Sequence, residues 1–263
     1  SSAGGVTFYE DSDDGSNYVI LQAATMGSDI TLTLPPTDGS ASDVLQTNGS
    51  GVMTWVARSS VDDATDLSDV LVEATGSIYV GNDPASTTNG ANYNSALGTT
   101  ALDAITTGDE NVAVGYDALT TNTTGAQNAA VGKDALKVNL GGSYNSAFGI
   151  GALDANTSAS YNTAFGTNTL GTNTTGANNT AVGQSALLLN DGGSNNSAFG
   201  YQALVNNSSA SNNSAFGHTA LVANTTGTAN TAVGYGAADN NTTGDYNIAI
   251  GHSSLNANTT AGG

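Results

Sequence analysis

From residue 77 onward, apolar and polar positions recur at one fixed spacing. The pentamer Asn-x-Ala-x-Gly begins at Asn94, Asn111, Asn128, Asn145, Asn162, Asn179, Asn196, Asn213, Asn230 and Asn247, with an interval of 17 residues each time and no insertion or deletion. One step earlier, Ser77-Ile-Tyr-Val-Gly81 fits as a degenerate copy, so the span 77–263 divides into eleven units. The unit reads Asn, Ser/Thr, Ala, Val/Phe, Gly, x, x, Ala, Leu, x, x, Asn, Thr, Thr/Ser, Gly/Ala, x, x. Its Ala-Leu pair appears at Ala118-Leu119 and Ala186-Leu187 and varies to Thr169-Leu170 and Ser254-Leu255. A slower beat lies on top: Asn122, Asn173 and Asn224 open identical Asn-Thr-Thr-Gly turns 51 residues apart.

Seventeen residues with two short apolar clusters, separated by Gly and Asn, are too few for a helix–turn–helix repeat and carry no 3.6-residue stripe. They predict an all-β chain, a parallel β-solenoid (β-roll) with one unit per coil. Within a coil the pattern predicts a strand at positions 1–5, a turn, a second short strand around the Ala-Leu pair, and an Asn/Gly turn. Corner Asn and Gly are expected to supply the positive φ angles. Asn111, Ala113, Gly115, Leu119 and Asn122 represent the structural positions in one coil, and Asn179, Ala181, Gly183 and Leu187 in another.

Neighbouring residues of a strand point to opposite faces. Positions 1, 3 and 5 (Asn, Ala, Gly) therefore share one face, and positions 2 and 4 (Ser/Thr, Val/Phe) the other. One face lines the coil; the other is left as an apolar stripe along the stack. Strands that are apolar on both sides need a cover on both sides, and the expected cover is another copy of the same chain. The competing reading for a Gly-, Ser-, Thr- and Asn-rich acidic chain is disorder. A strict period with Val, Phe and Leu at fixed places argues against it.

The N-terminal part follows a different pattern. Tyr18–Ala23, Ile30–Leu34, Val44–Thr47 and Val52–Val56 are β-prone runs, and Asn48-Gly49 between the last two is a hairpin signal. Residues 1–56 are therefore expected to form a small β module, with 57–76 as an acidic linker or short element leading into the repeats at 77–263.

Composition narrows the function. The chain has 22 acidic against 3 basic residues and a net charge of −19. That leaves no basic footprint for nucleic acid and disfavours an anionic membrane surface. No apolar run of about 18 residues is present to span a bilayer, and the first residues show no signal peptide. With no Cys and two His, His218 and His252, zinc, iron–sulfur and thiol chemistry lack ligands, and no cofactor is expected.

The order YVILQAATMGSDITLTLPPTDGSASDVLQTNGSGVMTWV, residues 18–56, resembles a segment of bacteriophage tail-fibre and virion-fibre proteins, including those of cyanophages, that precedes repetitive shafts. Pentamers such as Asn230-Thr-Ala-Val-Gly234 resemble the head repeats of trimeric autotransporter adhesins, which are left-handed parallel β-rolls packed as homotrimers, and equally the shaft repeats of those phage fibres. The resemblance implies a non-enzymatic structural fibre on the virion surface, an intertwined or packed homotrimer joined to other virion or tail proteins through the N-terminal module. A host-surface glycan or protein is the expected target. A longer repeat and the lack of a heptad stalk or C-terminal anchor barrel set the chain apart from the adhesins. A bacterial surface adhesin is the alternative.

Candidate chemistry is sparse. Asp103, Asp117, Asp134 and Asp154 occur at variable unit positions and read as solvated carboxylates, with a glycan-degrading acid–base pair as the rival reading. Asp11-Ser-Asp-Asp-Gly15 lacks the third spaced ligand and distal Glu of an EF-hand loop. His218 and His252 share one unit position two coils apart, about 9–10 Å by the strand spacing, too far for one metal within a chain. Tyr116, Tyr201 and Tyr235 follow the pentamer Gly, whereas Tyr144, Tyr161 and Tyr246 precede the pentamer Asn. They are expected to pack between coils or subunits rather than stack on sugars. Thr123-Thr124, Thr174-Thr175 and Thr225-Thr226 offer an ice-binding ladder, which Leu140-Gly141 and Asp191-Gly192 interrupt.

Overall fold

Every 17 residues the repeat lays down one three-residue strand. β6 (Ile78–Val80) is followed by ten more, from β7 (Ser95–Leu97) to β16 (Ile248–Ile250), and their order along the chain is their order in space. All neighbours from β6 to β16 pair in parallel with equivalent unit positions opposite each other, as Ala147 opposite Ala164 and Phe148 opposite Phe165. The computed structural model describes residues 6–9, 18–21, 35–36, 44–47, 52–56, 70–72, 76–80 and 90–260. Among these there is no helix. The repeat region is a parallel β-solenoid of 17-residue coils.

The rungs continue beyond the strands. Gly149 N–H donates to Val131 O at 2.8 Å, Leu136 N–H to Ala152 O at 3.0 Å, and Thr225 N–H to Thr242 O at 2.9 Å. Most backbone groups of a coil are thus satisfied by the coils above and below.

Each coil has one strand, not two. Around the Ala-Leu pair the chain turns, and the leucine is left-handed: φ is +52° at Leu119 and +50° at Leu187. A left-handed backbone costs a non-glycine residue about 1–2 kcal/mol. Both leucines are fully buried, a gain of about 1.5–3 kcal/mol each. Burial outweighs the strain, and the sharp turn closes the circuit in 17 residues while aiming the leucine inward.

Positive φ also falls elsewhere than expected. The pentamer glycines adopt it, as at Gly115 (+133°) and Gly183 (+128°), but the corner asparagines do not. Two variable positions do so instead, the seventh and the last of the unit: Asp134 (+60°) and Gln127 (+58°) are examples. At Gly183 an added Cβ would lie 2.5 Å from Gly200 O, so the rung above excludes any side chain.

The interior is a stack of identical groups. Ala113, Ala118 and Leu119 of one coil and Ala181, Ala186 and Leu187 of another are all fully buried. The acidic stretch 57–76 is more than a linker, because β5 (Val70–Val72) joins the sheet antiparallel to β6, with Val70 opposite Val80. Its Val-Leu-Val run has the β-branched character that an added strand needs.

The chain divides into two compact units, Ser1–Asp62 and Asp63–Gly263. In the first, β1 (Val6–Tyr9) pairs antiparallel with β2 (Tyr18–Leu21), and β3 (Val44–Thr47) with β4 (Met53–Val56). The latter pair places Thr47 opposite Met53; the expected Asn48-Gly49 turn lies outside the described residues. The strand expected at 30–34 and the acidic cluster at 11–15 lie outside the described residues.

Candidate functional site

The asparagines are the internal frame of the stack. Asn111 N–H donates to Asn94 Oδ1 at 2.8 Å, and Asn128 N–H in turn donates to Asn111 Oδ1 at 3.0 Å. Asn179 repeats the scheme, with its N–H on Asn162 Oδ1 (2.9 Å), Asn196 N–H on its own Oδ1 (2.9 Å) and its Nδ2 on Gly193 O (2.8 Å). Asn122 belongs to a second ladder: its Nδ2 donates to Gly125 O at 2.9 Å, and Asn139 Nδ2 donates to Asn122 Oδ1 at 2.8 Å. Gly125 O also accepts from Asn111 Nδ2 at 2.9 Å, so one carbonyl ties the two ladders across the coil. These asparagines are fully buried and fully engaged, which is the condition under which buried amides hold a structure together. The site residues of the repeat therefore face inward and are unavailable to a ligand.

A third ladder escaped the sequence reading. At position 16 short oxygen-bearing side chains accept the backbone N–H of the preceding coil, as Ala126 N–H to Ser143 Oγ (3.1 Å), Ala177 N–H to Ser194 Oγ (3.0 Å) and Thr228 N–H to Asp245 Oδ1 (2.6 Å). The signal was the run of Ser, Thr and Asp at that position. The bond to Thr228 also holds the Asp245 carboxyl below its ordinary pKa.

The outward face carries the surface of interest. Positions 2 and 4 point away from the coil, and from Ser95 to Ile250 they hold no ionisable side chain. Large apolar groups stand in the open there: Phe165 is 55% and Ile250 71% exposed. Phe148 stacks on Phe165 with ring centroids 5.2 Å apart, and Phe199 on Phe216 at 5.0 Å.

Two further aromatic stacks run along the solenoid. Tyr144 lies flat on Tyr161 at 4.8 Å. Tyr201, His218, Tyr235 and His252 form one column with centroids 5.0, 5.0 and 5.1 Å apart. Tyr235 thus separates the two histidines. Ring-on-ring packing between coils thus covers both faces of His218 and Tyr235 and one face each of Tyr144 and Tyr161, while Tyr116, under Lys133 Nζ at 5.8 Å, and Tyr246 stand exposed outside these columns.

The carboxylates are less solvated than their unit positions implied. Lys137 Nζ lies 3.1 Å from Asp117 Oδ2 and 2.9 Å from Asp134 Oδ1, and Lys133 Nζ lies 2.6 Å from Asp134 Oδ2. The Asp117 and Asp134 side chains are only 14% and 18% exposed. A bond from the Thr100 hydroxyl, helped by Lys137, lowers the Asp117 pKa; Lys133 and then Lys137 lower that of Asp134, and both carboxylates raise that of Lys137. Asp154, one coil along from Asp134, is pushed up by burial. Asp103 is exposed. A raised and a lowered carboxyl near each other are the raw material of acid–base catalysis, but ammonium groups hold both oxygens of Asp134. The cluster clasps successive coils.

The first threonine of each pair is similarly committed. Thr123 Oγ1 donates to Leu140 O (2.9 Å) and Thr225 Oγ1 to Thr242 O (3.0 Å), while Thr174 Oγ1 bonds the Asp191 carboxylate. These hydroxyls bind the next coil; the second threonines, Thr124, Thr175 and Thr226, stand exposed. Among the described residues no group of three or more His, Cys, Asp or Glu converges as a metal site. No protein family, curated protein or solved structure matches the chain.

Proposed function

We propose that this chain is a structural fibre protein of a bacteriophage virion, a tail fibre or another virion fibre, that gives reach and stiffness to host attachment. In this reading it is a homotrimer on the virion surface, joined through residues 1–56 to other virion or tail proteins, and presents or helps present a contact to a host-surface glycan or protein. The observation that carries the reading is the uncharged, aromatic outward ladder on a solenoid with a fully committed interior. Such a ladder on a chain of charge −19 calls for burial against a partner. At about 4.8 Å per rung, eleven coils make a shaft roughly 50 Å long.

The role is mechanical, without catalysis. A glycan-degrading tailspike would release reducing sugar from host polysaccharide and lose that activity on Asp154→Asn. A bacterial trimeric adhesin is the second reading, resting on the same pentamers. The deciding experiment has two arms: sedimentation of the purified chain, and labelling of intact particles with an antibody to the repeat. Trimers and labelled virion fibres are expected; a well-folded monomer overturns the assembly, and label on bacterial envelopes overturns the phage reading.

A further inference from the structure

We propose that three copies of this chain pack with parallel axes along the outward stripe, the second and third displaced by one and two rungs from the first, so that each layer drawn from the rungs Phe148 to Val233 contains two phenylalanines and one valine. The inference deepens the fibre reading and rests on it. Outward position 4 reads Phe148, Phe165, Val182, Phe199, Phe216, Val233, a large–large–small beat over six successive rungs. Those rungs are in strict parallel register, and both large pairs are stacked.

A second copy is the occupant that fits. Positions 2 and 4 form a neutral, apolar stripe on a strongly acidic chain, and like-charged molecules meet at least cost along a neutral face. A ladder with rungs about 4.8 Å apart is matched over its whole length by a surface with the same rung spacing.

The beat then sets the offset. Copies without displacement would bring three Phe together in two layers and three Val in the next. Protein interiors pack at nearly constant density, and facing positions fill best when large meets small. Hydrogen-bonded rungs cannot spread and close every third level. With successive one-rung displacements, three copies contribute three consecutive members of the beat to every layer drawn from Phe148 to Val233, which is always Phe, Phe and Val; Leu97, Val114 and Ile250 lie outside the beat. The third interface is displaced by two rungs, and in a three-rung beat that brings together the same composition as one step forward. An antiparallel pair centred on Val182 would set Phe against Phe and forfeits this match.

The cysteine-free chain allows a direct test. Thr180 and Ser197 occupy outward position 2 on adjacent rungs, so T180C and S197C chains are prepared separately, refolded together and oxidised. The mixed disulfide is expected to exceed either homodimer several-fold beyond the statistical ratio, in a particle of trimeric mass. Dominant homodimers mean undisplaced copies and overturn the stagger. In a second mixture, of S146C with S214C chains, a mixed disulfide means antiparallel packing and overturns it as well. Trimers without any disulfide place the contact on another face and overturn the stagger while leaving the fibre reading intact; folded monomers overturn both.

Discussion

The two sides of the same strand are built on opposite plans. Inward position 3 is alanine in all ten coils from Ala96 to Ala249, and each is almost wholly buried. Outward position 4 changes from rung to rung among Leu, Val, Phe and Ile, and stays part-exposed. Inside, each rung must accept the rung below, so sameness is the condition for stacking. Outside, nothing in the coil requires sameness, and the variation is free to specify how the stack meets other surfaces. Stability resides in the monotony; in the proposed assembly, association resides in the beat.

Substitutions on the two sides should therefore separate folding from assembly. The largest effect is expected at Gly183→Ala, where a methyl would be driven to 2.5 Å from Gly200 O at a φ of +128°. Strain plus overpacking should lower the unfolding free energy by roughly 3–5 kcal/mol, read by urea denaturation followed in the far ultraviolet. Next, Asn179→Ala leaves Asn196 N–H without its acceptor and removes one of the two amide donors on Gly193 O, Asn190 Nδ2 remaining, and should cost about 2–4 kcal/mol in the same assay. A loss under about 1 kcal/mol in either would show that the interior tolerates variation, and the contrast would fail.

On the outward side, Phe199→Ser with Phe216→Ser should leave the unfolding of the separated chain within about 1 kcal/mol of the parent, since these rings are part-exposed, while abolishing association in sedimentation. Loss of folding with association intact would invert the comparison.

The clasp gives a smaller, pH-dependent signal. Burial raises the Asp154 pKa, so its ionised form opposes folding at neutral pH. That penalty is relieved as pH falls towards the ordinary carboxyl value of 3.8. Asp117 and Asp134 are lowered instead; their contribution is present above 3.8 and is lost below it. Stability should thus rise on approach to that pH and fall beneath it. Asp154→Asn should raise the neutral-pH melting temperature and remove the rise but not the fall. The smallest effect is expected at Ala229→Asn, a left-handed position (φ +55°) that is half-exposed, where a residue that tolerates this backbone should add about 0.5 kcal/mol; an unchanged midpoint would mean that this position stores no strain.

Much of the architecture was legible because a strict period is a statement about geometry. The interval between Asn94 and Asn111 already implied that the two share a face one rung apart, and the alternation Asn111, Ala113, Gly115 against Val112, Val114 divided inside from outside. The turn at the Ala-Leu pair was not legible. Leucine has no local preference for a left-handed backbone, and only the closed coil offers enough burial at Leu119 to impose it. The corner Asn122 was misassigned for the same reason: its value lies in the amide bonds to Gly125 and Asn139, which exist only once coils are stacked. Position 16 was missed because Ser143 bonds a backbone N–H 17 residues away.

By itself the sequence determined the rung length, the neutral stripe and the absence of a basic footprint, since these follow from which residues recur and at what interval. The tertiary structure decided which backbone angles close the coil, which hydroxyls and carboxylates are spent between rungs, and that β5 joins the sheet against the direction of its neighbour. Those outcomes depend on contacts between residues far apart in the chain, whose energies outweigh the local preferences that a sequence pattern records.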